Sequence, residues 1–457
     1  MDSQLRYGGS SMYTNPLMEF MVVFCIMCRL GFPGNLASVM GGNTILLGLD
    51  YGSSMLQVIL ILLASGDTFL EIRLLDLKKK HTVIYCMLAL MYVISLLVSA
   101  NRVKQTTIII RFTITALFGL WLADKYDAEQ LLELVYYAQI GIIFANLLTF
   151  TAFRSAGYYV DDGYGYIFRG LYTQKNGLGG EFAYGIALQM ALYRVKNINT
   201  RPITRVFWGV FAMQLFFLFV SRATTAIFTG FVPVAYLIYL DLRGERERRF
   251  QWGIVYAVAS IGFIFMALTI MPLFSPLLEA LGKDATLSNR VPMWEKIIAF
   301  MQESHTFTGY GLLQFWETPT ALKALQSMFE RNSWYRTMAF GAHNTLLEMW
   351  LDVGLIGVAA YLIAIIYCFR NIYELTREQY ALCSVLMLPN LISGLTDRHY
   401  TNANYSTMFF FVMLGVACSR QTAAVRKVRT YEGDTELRRS GPGTPAFDQY
   451  AAREEKS

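Results

Sequence analysis

The stretch VFWGVFAMQLFFLFVSRATTAIFTGFVPVAYLIYL, residues 206–240, is apolar almost without interruption. As a single helix its 35 residues would measure about 52 Å, well beyond the roughly 30 Å of bilayer hydrocarbon. Basic clusters stand on both flanks, RVKNINTRPITR at 194–205 and DLRGERERR at 241–249. Lys and Arg gather in cytoplasmic loops, so the run is predicted to cross outward and return. The polar break at its midpoint is SRATT, residues 221–225, which puts Arg222 at the outer turn of a tight helical hairpin.

The rest of the chain agrees with a membrane reading. Of 457 residues, 55% are hydrophobic and 16% charged, where a soluble protein has about a quarter charged. Twelve spans are predicted, at about 17–36, 44–65, 82–100, 105–123, 131–153, 177–194, 205–220, 222–240, 251–271, 343–369, 377–395 and 403–420. Gly48, Asp50 and Gly52 interrupt the second. The expected fold is therefore an all-α polytopic integral membrane protein. Residues 1–271 would carry helices 1–9, 272–342 a long outer loop with amphipathic helices, 343–420 helices 10–12, and 421–457 a disordered cytoplasmic tail.

The orientation follows from short basic loops such as LDLKKKH at 75–81, and both termini are predicted cytoplasmic. The net charge of +6 is explained by these loops and requires no nucleic acid. Strand alternation of the outer-membrane barrel kind is absent. All six cysteines lie in apolar segments or at their ends, so no disulfide framework is read, and Cys25 and Cys28 read as small buried residues. The first apolar segment lacks the basic start of a cleavable signal peptide.

Several polar groups converge on the predicted outer face. Arg222 stands in the hairpin turn. Arg290 begins the amphipathic stretch SNRVPMWEKIIAFMQE, with Val291, Trp294, Ile298 and Met301 on one face and Pro292 in its first turn. A second short helix is predicted around 319–331. Arg154, Arg169, Lys175 and Asn176 come from the 154–176 loop, and His343 and Asn344 stand where the long loop meets the tenth span. Arginine forks suit phosphate oxygens; the alternative is that they snorkel to headgroups or pair with carboxylates. No metal or cofactor is expected: Asp161 and Asp162 lack a spaced acidic partner or histidine cluster. Glu348 and Asp352 share a helix face turned away from His343, unless the helix starts after it. Trp294, Trp316, Trp334 and Trp350 fit either a sugar-binding cleft or interfacial anchoring.

Four stretches, RGLYTQKNGLGG, SRATTAIFTG, LSNRVPMWEKIIAFMQESHTFTGYGLLQFW and HNTLLEMWLDVGLIG, resemble in order the motifs of the O-antigen ligase and polymerase superfamily. The family patterns are K-N-x-x-G, S-R-[ST], G-R-x-x-x-W leading to G-x-G-x-x-x-F, and H-N-x-x-L-x-x-x-x-x-G-x-x-G. The likeness covers about 169–357, and the wording is most similar to exopolysaccharide polymerases of the succinoglycan type. Asn289 departs from a usual glycine and His305 from a usual proline.

The resemblance implies a GT-C-like, metal-independent membrane glycosyltransferase of the bacterial inner membrane, with its site facing the periplasm. A glycan would pass from undecaprenyl diphosphate to the sugar end of another lipid-linked repeat unit (a polymerase) or to lipid A-core (a ligase). Partners would be the undecaprenyl-diphosphate-linked oligosaccharide, the bilayer, and chain-length regulator and export proteins. The catalytic candidates are His343, Arg222 and Arg290; Arg169, Lys175, Asn176, Asn344 and Arg154 are the substrate-binding candidates. A histidine near its ordinary pKa of about 6.5 would suit the role of base. The competing class, a transporter of a lipid-linked anion, predicts charges at the midplane, whereas these gather at one face.

Overall fold

The computed structural model describes residues 16–64, 80–161, 165–196, 201–243, 258–259, 261–264, 266, 290–319, 341–372, 375–398 and 403–417. The chain opens with α1 (Pro16–Arg29), α2 (Gly34–Val39), α3 (Thr44–Ala64), α4 (Lys80–Val98), α5 (Arg102–Lys125) and α6 (Ala128–Thr151). The short α7 (Arg154–Gly157) leads into strands β1 (Tyr158–Asp161) and β2 (Gly165–Phe168). Then come α8 (Lys175–Val195), α9 (Arg201–Val220), α10 (Thr224–Arg243), α11 (Arg290–Glu303), α12 (Thr345–Ile372), α13 (Arg377–Ser393) and α14 (Tyr405–Ala417).

Among the described residues, four helices are long and apolar enough to cross a membrane: parts of α3 and α12 and the whole of α5 and α6. Parts of α4, α9 and α10, with α14, are shorter and also apolar. This is a helical membrane protein. Most of the predicted span 251–271, residues 320–340 with most of the second short helix, and the tail 421–457 lie outside the described residues.

Three details differ from the sequence reading. The first span is broken: α1 ends at Arg29, and Gly31 at φ +120 turns the chain into the separate α2. The fold is not purely helical, because β1 and β2 form an antiparallel hairpin in which Tyr158 faces Phe168. The arms of the Val206–Leu240 hairpin also splay apart. Both pack chiefly on α8 and hardly touch each other.

α8 is the bundle's central helix, and small residues let its neighbours approach. A Cβ on Gly179 would stand 2.7 Å from both Ala223 Cβ and Ser221 Oγ; one on Gly230 would stand 3.2 Å from Ala183 Cα.

α12 carries a break that decides where the outer loop goes. Gly354 has φ 70 and ψ −176 inside the helix. A regular helix would pair the Leu355 and Ile356 N–H groups with the Leu351 and Asp352 carbonyls. Instead Leu355 and Ile356 donate to Thr306 (2.9 Å) and Phe307 (3.4 Å), while Tyr310 and Gly311 donate to Leu351 (2.8 Å) and Asp352 (2.9 Å). The loop segment 306–311 is thus inserted where two helical bonds would have been. Trp350 Nε1 adds a bond to the Thr306 carbonyl at 2.9 Å, and the Leu313 N–H donates to Asp352 Oδ1 at 2.8 Å. Gly309 and Gly311 hold φ of 68 and 96 to make the loop's bends.

Gly354→Ala should therefore be severe. Its Cβ would fall 2.1 Å from the Phe307 carbonyl carbon and oxygen, at a φ that L side chains avoid. A loss of roughly 2–4 kcal/mol is expected from overpacking and backbone strain together. Thermal unfolding in detergent would read it; an unchanged midpoint would mean that the loop is not seated in this break.

Candidate functional site

The described site is built around Ala342, whose two backbone groups are both fixed. Its N–H donates to Glu348 Oε2 at 2.6 Å, and its carbonyl accepts from Trp294 Nε1 at 2.7 Å. Trp294 and Glu348 are fully buried. The next residue, His343, is thereby held at φ 48, in the left-handed region that non-glycine residues seldom occupy.

The R-x-x-x-W spacing now has a physical reason. Arg290 and Trp294 are four apart in α11 and lie on one helix face. The bond from Trp294 to Ala342 brings that face, and the half-buried Arg290, up to His343.

Asn344 closes the end of α12. Its Oδ1 accepts from the Leu346 and Leu347 N–H groups at 3.0 and 3.1 Å, and its Nδ2 donates to the Leu395 carbonyl at 3.1 Å. It is 1% exposed. The geometry thus makes Asn344 a helix cap, and its amide is spent on backbone rather than presented to a ligand. Thr345 docks the same end onto the turn after α13, through Thr345 N–H to the Gly394 carbonyl (2.8 Å) and Thr345 Oγ1 to the Asp397 carbonyl (3.1 Å).

That turn supplies Asp397 and Arg398, to which the sequence reading gave no role. Arg398 Nη1 lies 3.5 Å from Glu348 Oε1, which also accepts from Trp316 Nε1 at 3.0 Å. Glu348 had been set aside because it points away from the histidine. It acts at one remove, holding both the peptide before His343 and the arginine beside it. Trp294 and Trp316 prove to be core anchors of this arrangement rather than faces of a sugar cleft.

A cavity of about 400 Å³ opens here, lined by His343, Asp397, Arg398, Arg169, Tyr159 and Ser38 among others. Arg169 is steered into it by the β-hairpin. Its guanidinium lies over the Tyr159 ring at 5.5 Å, and its Nε and Nη1 donate to the carbonyls of Ala156 (3.3 Å) and Thr173 (3.4 Å). Arg290, although its charge acts on His343, lies outside this lining, as do the remaining expected residues. Arg154 is exposed and stands over Tyr158 at 5.4 Å. Lys175 and Asn176 form the first turn of α8. Arg222 is exposed at φ 55 in the turn between α9 and α10. That turn packs on Gly179, one helical turn beyond Lys175 on the same face of α8.

Burial pushes His343 down from 6.5 to about 4. The Arg290 and Arg398 charges push the same way, and only Asp397 opposes them. The histidine is therefore neutral throughout the physiological range, without the partial charge that its ordinary value would give.

A family model described as O-Antigen ligase matches residues 209–362. The match takes in Arg222, Arg290, the loop seated at Gly354 and His343, about a third of the chain. It supports the likeness to the O-antigen ligase and polymerase superfamily and an enzyme of that general type, and it leaves α1 to α8 outside. No curated protein and no solved structure matches the chain.

Ring resonances of His343, followed by NMR with His81, His305 and His399 replaced, should titrate near pH 4. A midpoint at 6.5 would contradict the buried, cation-flanked setting. The linkage has a definite sign. An unfolded chain takes up this proton first, so the contribution to stability is complete above about pH 6.5 and is lost as pH falls toward 4.

Proposed function

We propose that the protein is a membrane glycosyltransferase of the polymerase kind. It transfers a glycan from a polyprenyl diphosphate, undecaprenyl diphosphate in a bacterial inner membrane, to a sugar hydroxyl of a second lipid-linked repeat unit. The observation that carries this reading is the neutral His343 on a cavity that Arg169 and Arg398 also line, with the Arg290 charge acting on the ring, at the end of the bundle that the basic loops predict to be periplasmic.

In the transfer, the acceptor hydroxyl oxygen bonds to the anomeric carbon, and the bond from that carbon to the diphosphate oxygen breaks. The hydroxyl proton passes to the unprotonated ring of His343. The diphosphate leaves with an added negative charge, which Arg290 is placed to stabilise; Arg169 and Arg398 bind donor phosphate or sugar. Arg222 and Lys175, on one face at the rim, hold the lipid diphosphate as it enters, with Asn176 and Arg154 beside the entry.

A base flanked by two cations keeps a proton poorly. The bound diphosphate corrects this, because its charge offsets Arg290 and Arg398 and makes protonation of His343 easier. Donor binding thus prepares the base for the acceptor. The preference for a polymerase over a ligase is supported by the GYGLLQFW and LEMWLDVGLIG wording.

His343→Gln should insert and bind donor yet make almost no polymer, since loss of a base costs about 10² to 10⁴ in rate. Normal polymer from that variant would refute the base role, because glutamine hydrogen-bonds but takes no proton.

Arg290→Lys and Arg222→Lys keep the charge and lose the fork. Each should lower polymer formation by more than about tenfold in cells lacking the native copy. Full production from both variants would leave the two arginines as surface or structural residues.

A further inference from the structure

A second cavity, of about 420 Å³, adjoins the first and shares Ser38, Thr173, Gln174, Asp397 and Arg398 with it. Its far wall comes from α1, α3 and α5, outside the region matched by the family model, and carries Arg29, Asp50 and Arg111.

The two arginines differ in kind. Arg29 is 2% exposed and held through both terminal nitrogens, while its Nε, like that of Arg111, has no hydrogen-bond partner among the described residues. Its Nη1 donates to the Ala403 carbonyl (2.9 Å) and Thr115 Oγ1 (3.3 Å), and its Nη2 to Ser53 Oγ (2.9 Å) and Ser54 Oγ (3.1 Å). Arg111 spends Nη2 on Asp50 Oδ2 at 2.5 Å, while its guanidinium lies 5.0 Å from the centre of the Tyr51 ring. Its side chain is 28% exposed, and its buried Nε has no hydrogen-bond partner among the described residues.

Arg29 Nη2 also stands 3.8 Å from Asp50 Oδ1, so one carboxylate is shared by two guanidinium groups. The far wall therefore carries one positive charge in excess, while on the common wall Arg398 is matched by Glu348 and Asp397 stands beside it. A purely structural ion pair in an apolar bundle would match cation to anion and close against solvent. This cluster does neither.

We infer that the second cavity is an anion subsite in which Arg111, backed by Arg29 and Asp50, receives a carboxylate or phosphate group of the acceptor glycan-lipid. The inference rests on the reading that the neighbouring cavity is where transfer occurs. A transferase that joins two lipid-linked glycans must hold two of them about one base. A second basic pocket sharing the Asp397–Arg398 wall meets that need. The shared ligand chemistry is an oxyanion, either the acceptor's own diphosphate or the carboxylate of an acidic sugar.

The test uses full-length protein in nanodiscs, titrated calorimetrically with inorganic pyrophosphate and with methyl glucuronoside. An Arg169→Gln background removes the guanidinium that lines the first cavity and not the second. That protein should still bind one of the two probes, and which one it binds tells phosphate from sugar carboxylate. Adding Arg111→Gln should weaken the binding at least tenfold. In the native background, Arg111→Gln should raise the acceptor KM at least fivefold with kcat within about twofold.

Arg111→Lys keeps Asp50 paired and should give an intermediate loss; it carries the test if the glutamine variant melts early. Absence of binding of either probe in the Arg169→Gln protein, or unchanged binding after either substitution at Arg111, overturns the subsite. Transfer surviving in His343→Gln would instead overturn the proposed reaction and leave the binding result standing.

Discussion

The exchange of hydrogen bonds at Gly354 is the constraint on which the site depends. A helix in an apolar surrounding cannot leave backbone groups unpaired, because each costs several kcal/mol without water to replace the partner. α12 nevertheless gives up two bonds, and the segment 306–311 returns both donors and both acceptors. Irregular backbone in an apolar surrounding is tolerated where protein covers it, and here Gly309 and Gly311 are buried at the inner bend while Phe307 is exposed. With the loop fixed, Trp316 meets Glu348, Glu348 meets Ala342 and Arg398, and His343 has its position.

The electrostatics of the site follow from the same packing. A buried ring between cations stays neutral, which suits a proton acceptor but makes the proton hard to keep. In the proposed transfer the free protein is therefore incomplete as a base, and the donor's anion is the missing component. This couples order of binding to chemistry without any moving part. It also protects against waste: with no diphosphate present, the histidine has little capacity to activate water.

The sequence made the bundle legible because its signals are strong and local. A break at residues 221–225 was required by length alone, and the helices end and restart there. Arg290 and His343 were readable from their motifs, although the reason for the R-x-x-x-W spacing was not, since it lies in a bond from Trp294 to a peptide 48 residues away. The capping bonds of Asn344 were not readable, because a capping amide and a binding amide look alike without burial. Asp397 and Arg398 had only the signal of two charges in a short outer turn, and Arg29, Asp50 and Arg111 looked like isolated faults in three apolar helices. Long-range pairing of such residues leaves no periodicity to read. The β-hairpin, too, was hidden in what looked like an irregular loop.

The break in α12 also ties the place of His343 to the seating of the loop. Were the 306–311 segment to leave, Leu355 and Ile356 would recover regular partners only by the helix straightening through Gly354. Straightening would swing the part of α12 that precedes the break, with Asn344 at its tip, and would draw His343 away from Arg290. The loop is thus a latch as well as a wall. A change in the loop's seating would therefore reach His343 without touching any residue that lines its cavity.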